Sequence, residues 1–146
     1  MQHLHFLMAG RFESAASLAR SNLASVRMRA YPASVALLAA QQKASWGEAV
    51  QGRPDRLLVT KIGGHDIAVR QPQWLRHIAE AKSRGASIWV DYTDHHLGFE
   101  SVMSGFYAAV LELADVFTVP SSCMHRLLST HWQGSVHVVP DAIEVD

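Results

Sequence analysis

The sequence predicts an α/β fold, a doubly wound parallel sheet with helices on both faces. Three observations carry this expectation. Short apolar runs alternate along the chain with longer stretches of helical character. The later runs are continuously apolar, as in strands buried on both sides. Glycine and proline punctuate the changes between them. The chain has 146 residues, 49% of them hydrophobic and 18% charged, enough for one domain with its own core.

Leu4 to Ala9 is the first apolar run and ends at Gly10, which predicts a buried strand. It lacks a basic leader and soon meets Arg11 and Glu13, so it does not read as a signal peptide. Phe12 to Ser25 is small, polar and alanine-rich, and either loop or helix suits it. Pro32 opens an Ala- and Leu-rich helix over Ala33 to Lys43, with Gly47 at its end. The turn cluster Gly52-Arg53-Pro54-Asp55 precedes a strand over Arg56 to Ile62, closed by Gly63-Gly64.

Pro72 to Ser83 carries Trp74, Leu75, Ile78, Ala79 and Lys82 at helical spacing, and Arg84-Gly85 stops it. Ala86 to Val90 is the next strand, and it runs into Asp91-Tyr92-Thr93-Asp94-His95-His96. A helix over Ser101 to Ala114 follows, then a strand over Asp115 to Val119 ending at Pro120. Ser121 caps a short helix to about Thr130, because its hydroxyl can accept from free first-turn amides. Val136 to Val139 is the last strand, closed by Pro140-Asp141. The order is that of a Rossmann-like single domain.

Composition excludes some functions. Thirteen basic side chains balance 13 acidic ones, so no strong field draws the chain to nucleic acid. No stretch approaches the ~20 apolar residues of a membrane span. The lone Cys123 forbids an internal disulfide and suits a cytoplasmic location. No G-x-G-x-x-G follows the first strand, and neither a Walker lysine loop nor a G-x-S-x-G elbow occurs. Ser121-Ser122-Cys123 lacks the glycines of an elbow and reads as a cap.

In an open parallel sheet, ligands bind beyond the carboxyl ends of the strands. Three groups of residues fall there. Arg27 and Arg29 precede the Pro32 helix and can form an anion cradle, because guanidinium forks grip phosphate in pairs. Equally, they can be two solvated arginines. Lys61 ends an apolar run and either reaches a site or snorkels to water. Asp91-x-x-Asp94-His95-His96 can hydrogen-bond sugar hydroxyls, act as a base or hold a metal. Its spacing matches no common zinc pattern. The plain alternative is a capping Asp with two exposed histidines. His3, His5, His65, His77, His125, His131 and His137 are scattered and read as structural or exposed.

The run Leu113-Ala114-Asp115-Val116-Phe117-Thr118-Val119-Pro120-Ser121-Ser122, followed by Val138-Val139-Pro140-Asp141-Ala142-Ile143-Glu144, resembles the end of the N-terminal domain of GT-B glycosyltransferases of the family 4 type. There an A-D-x-V-T-V-P-S motif precedes a helix and a strand ending in V-I-P-N-G-I-D. Ser25, Arg27, Arg29, Lys61, Asp91 and Asp94 stand where some members carry a serine–arginine–x–arginine stretch, a strand-terminal lysine and a D-x-x-D strand end. The resemblance covers nearly the whole chain, and its ending is the specific part. The glycine-rich first loop of many members is replaced by Ala9-Gly10-Arg11-Phe12-Glu13.

The resemblance implies transfer of a sugar, with retention, from a nucleotide-diphosphate donor to a carbohydrate or lipid-linked acceptor. It implies that residues 1–146 are the acceptor-side half, and that the donor-binding domain, with its pair of glutamates, is missing and must come from a second domain or a partner subunit. Ser25, Arg27, Arg29, Lys61, Asp91 and Ser121 are then substrate-binding positions. Asp94 or His95 meets the acceptor hydroxyl or the transferred sugar. No metal and no cofactor are assigned. The expected place is the cytoplasm, including the inner face of a membrane. Phe12, Tyr31, Tyr92, Leu97 and Phe99 are expected to form the surface that meets the second half, and the isolated chain is expected to have little turnover. Two alternatives stay open: a Rossmann-like sugar- or nucleotide-binding module without catalysis, and a metal-dependent hydrolase using Asp91, Asp94, His95 and His96.

Overall fold

The computed structural model describes residues 1–63 and 66–142. Gly64, His65, Ile143 and Glu144, which entered the sequence reading, lie outside the described residues. The elements are β1 (His3–Leu7), α1 (Ala15–Ala19), a five-residue π-helix (Val26–Ala30), α2 (Tyr31–Ala39), β2 (Lys43–Gly47), β3 (Arg56–Val59), α3 (Ile67–Ser83), β4 (Ser87–Asp91), α4 (Ser104–Leu111), β5 (Val116–Val119), α5 (Ser122–Ser129) and β6 (Ser135–Val138). The six strands form one wholly parallel sheet in the order β2-β1-β3-β4-β5-β6. This is a single Rossmann-like domain.

Strand side chains alternate between two faces. Phe6 and Met8 pack on Leu18, Val26 and Ala30 of the first helical layer. Leu7, Leu57, Val59, Ile88, Val90, Phe117 and Val119 pack on the other face against Trp74 and Ile78 of α3, Phe106 and Val110 of α4, and Leu128 of α5. The chain therefore leaves β1 on one face and β3 on the other, which makes the β1/β3 boundary the topological switch point.

Four expectations are corrected. The helix placed over Ala33 to Lys43 runs from Tyr31 to Ala39, and Lys43 begins β2, a strand the sequence did not signal. The stop is a Schellman turn: Gln42 N–H donates to Leu37 O at 2.9 Å and Gln41 N–H to Leu38 O at 3.0 Å. Gln41 holds the left-handed conformation (φ 56°) where glycine is usual, so no local residue announced the end. The helix expected from Pro72 begins at Ile67, and Pro72 sits inside it. The helix expected over Ser101 to Ala114 is shorter, because Ser104 Oγ donates to Phe99 O (2.8 Å) and accepts from Ser101 N–H (2.8 Å), folding the first residues into a turn. Tyr92 is also not at the surface. It is fully buried, edge-on to Tyr107 at 5.0 Å. Among the described residues no helix is long and apolar enough to cross a membrane.

On the α3–α5 face, the hydroxyl of Ser45 bridges two imidazoles, His3 Nε2 at 2.7 Å and His5 Nδ1 at 2.8 Å. His5 is fully buried and its Nε2 has no partner. Burial, then the neighbouring charge of His3, pushes its pKa down from 6.5 to about 4. The unfolded chain therefore takes up a proton before the folded one does. Stability is full above pH 6.5 and falls as pH drops towards 4, by roughly 3 kcal/mol. Urea unfolding between pH 7 and 4.5, above the carboxylate range, should show this slope, and His5→Phe should flatten it. An unchanged slope in His5→Phe would assign the effect elsewhere.

Candidate functional site

The carboxyl edge of the sheet is organised by Arg29. The π-helix widens one turn, with Tyr31 N–H bonded back to Val26 O, and so presents Arg29 to the strand ends. Arg29 Nε donates to Asp91 Oδ2 at 2.6 Å and Nη2 to Asp91 Oδ1 at 2.5 Å. Its Nη1 donates to Val139 O at 2.8 Å and to Asp141 Oδ1 at 2.7 Å. Thr118 Oγ1 donates to Asp91 Oδ1 at 2.7 Å from the adjoining strand. Only 8% of the Arg29 side chain and 7% of Asp91 remain exposed. Burial opposes the charge on Arg29, but both carboxylates raise its pKa. The resemblance turns Arg29 towards a substrate phosphate. In the structure this guanidinium is neutralised within the chain.

A second pair stands outside this lock. Lys61 Nζ lies 2.6 Å from Asp94 Oδ2, and the two side chains are 41% and 47% exposed. Burial alone would raise the Asp94 pKa, but the hydrogen bond and charge of Lys61 outweigh it and leave the carboxyl below its ordinary value. Asp94 is therefore an ionised acceptor open to solvent.

The loop that carries Asp94 is shaped by Tyr92. Its phenolic oxygen accepts from His96 N–H (2.7 Å) and Leu97 N–H (3.1 Å). Its own proton is left for His95 Nδ1, 3.2 Å away. That assigns the ring proton of neutral His95 to Nε2, which makes this nitrogen a donor and not a base. Burial and the nearby His131, whose ring centre lies 5.7 Å away, both lower the His95 pKa. Gly98 lets this ring sit close, since a Cβ there would come within 2.2 Å of His95 Nε2.

Of the other expected residues, Ser25 lines one cavity with Arg29 and Asp91, whereas Arg27 and Ser121 are engaged elsewhere. Ser25 precedes the π-helix and its hydroxyl makes no capping bond. Arg27 Nη1 donates to Ser21 O at 2.7 Å. Ser121 Oγ accepts from Met124 N–H at 3.2 Å and caps α5. Asp91, Asp94, His95 and His96 do not converge on one point, and no group of metal-ligating residues occurs among the described residues. The sequence reading missed the parts played by Thr118, Tyr92 and His131. Thr118 had a signal, a polar residue inside an apolar strand. His131 had none, because its approach to His95 is purely tertiary.

Between α2 and the sheet lies a cavity of about 550 Å³, bounded at its polar end by Ser25, Arg29, Asp91 and Thr118. It exists because the first helical layer packs on β1, β2 and Leu58 of β3 only. Among its walls Trp89 is half-buried and Val139 is exposed, as is His137, which stacks on Trp89.

Removing one partner of a buried ion pair strands the other charge. Arg29→Met should therefore cost about 3–5 kcal/mol in urea unfolding, and Arg29→Lys should recover little because one ammonium cannot span both oxygens of Asp91. A loss under about 1 kcal/mol, the scale of an exposed pair, would show the lock to be dispensable. Gly98→Ala should displace the His95 ring and shift its imidazole NMR signals, with the fold retained. No family model matches the chain, and no curated protein or solved structure matches it.

Proposed function

We propose that this chain is the N-terminal, acceptor-side domain of a GT-B glycosyltransferase of the family 4 type. It would help transfer a sugar from a nucleotide-diphosphate donor to an acceptor hydroxyl at the carboxyl edge of the sheet. One observation supports this most. The segments that carry the resemblance lie on adjacent strands, β5 and β6, and at one edge they meet Arg29 and Asp91, which the same resemblance singles out.

Within this reading the exposed and buried ion pairs do different work. Arg29 and Asp91 hold the edge in shape. Asp94, ionised and open, accepts from the acceptor hydroxyl. His95 donates from Nε2 to the transferred sugar. Lys61 can exchange Asp94 for a phosphate oxygen, because exposed ion pairs contribute only about 0–1 kcal/mol. Nucleotide recognition belongs to a second domain, so the isolated chain would not turn over. A stand-alone sugar-binding module is the second reading. It is favoured by the neutralisation of Arg29, which leaves that cation unavailable to a diphosphate.

In the enzyme that joins this domain to a donor-binding half, Asp94→Ala and Lys61→Ala should each lower kcat/KM for sugar transfer by about a hundredfold, with the melting temperature held. Full activity in both variants would overturn the assigned roles. Robust transfer by residues 1–146 alone would overturn the division of labour.

A further inference from the structure

We propose that the cavity between α2 and the sheet is a binding site for a neutral amphiphile: an apolar chain or ring system that carries a hydroxyl. This goes beyond the transfer reading and does not depend on it.

The cavity is a consequence of residue choice. Along α2 the residues that line it include Ala33, Ala36 and Leu37, with Ala40 at the helix C-cap, so three of these four side chains are alanine, and Ala36 and Ala40 stand at its solvent-exposed rim. A helix face packed on a sheet ordinarily carries branched residues that reach the strands. Alanines stop short, and the facing wall is built of Leu58 and the broad ring of Trp89. A void of about 550 Å³ is in the range of small-molecule sites. Its walls are largely apolar, and an apolar occupant takes that surface out of water.

The polar end sets the chemistry of the head group. The Ser25 hydroxyl has no hydrogen-bond partner among the described residues, and Asp91 Oδ2 accepts only the Arg29 Nε–H. A ligand hydroxyl can donate to Asp91 Oδ2 and accept from Ser25. An anion is disfavoured, because two carboxylates, Asp91 and Asp141, surround the one guanidinium and already occupy it. The chain beyond β6 closes this end. Val139 and Pro140 line it, and Ala142 N–H reaches Met28 O at 3.4 Å.

The test uses the neutral fluorophore N-phenyl-1-naphthylamine, displaced from the purified chain by 1-decanol or decanoate at pH 7.5. Saturable binding at one site is expected, with decanol about tenfold stronger than decanoate. Ala36→Trp, which fills the void, should weaken the fluorophore by about tenfold while the chain still melts cooperatively. Ala33→Leu is the milder filler should Ala36→Trp not fold. Ser25→Ala should weaken decanol and leave the fluorophore unchanged. Unsaturable fluorescence, undiminished binding by a folded filler variant, or decanoate equal to decanol would each overturn the proposal. None of these readouts involves sugar transfer, so the two proposals fail separately.

Discussion

The geometry of the carboxyl edge depends on one buried guanidinium. Moving a charge out of water costs several kcal/mol, and the cost is offset only where every donor finds an acceptor. Arg29 comes close to that condition with four hydrogen bonds drawn from two distant parts of the chain: β4 through Asp91, and the segment after β6 through Val139 and Asp141. The planar fork matches a carboxylate, so it fixes direction as well as distance. Thr118 then uses the remaining reach of Asp91 to align β5 with β4. Much of what lies at this edge follows. The chain leaving β6 is pulled across the strand ends, and one end of the cavity is closed.

The two faces of the sheet are unequal for a packing reason. One is covered from β3 to β6 by three helices whose large side chains interlock, including the edge-on contact of Trp74 and Phe106 at 6.3 Å. The other is covered only over its first three strands, by Leu18, Val26, Ala30 and Leu37 of the first helical layer. Arg56 and His137 partly screen the face of Trp89, at 5.7 and 6.1 Å, but they do not bury it. Rigid support thus stands behind an open trough. That arrangement suits binding, because the wall that meets a ligand need not move to admit it.

Solvent divides the charged residues of the edge into two classes. The Arg29 pair is dry and holds shape. The Lys61–Asp94 pair is wet and weak, and it can be exchanged for a ligand. Both combinations look alike in one dimension, a basic residue before a helix or strand end and an acidic one after a strand. Burial alone tells them apart.

The sequence by itself determined the α/β class and the placement of most strands and helices. Those depend on local signals: apolar runs of strand length, helical spacing in α3, the Ser121 cap, and the Gly85 stop at φ 92°. It also marked Asp91, Asp94, Lys61 and Arg29 as residues at strand or helix ends. Only the tertiary structure decided how these pair, because their partners lie far apart in the chain, Arg29 being 62 residues from Asp91 and 112 from Asp141. It decided β2, whose Lys43-Ala-Ser-Trp-Gly run has too little apolar content to declare itself and is fixed by pairing with β1. It decided the cavity as well. Three alanines on a helix predict nothing until the strand opposite them is known.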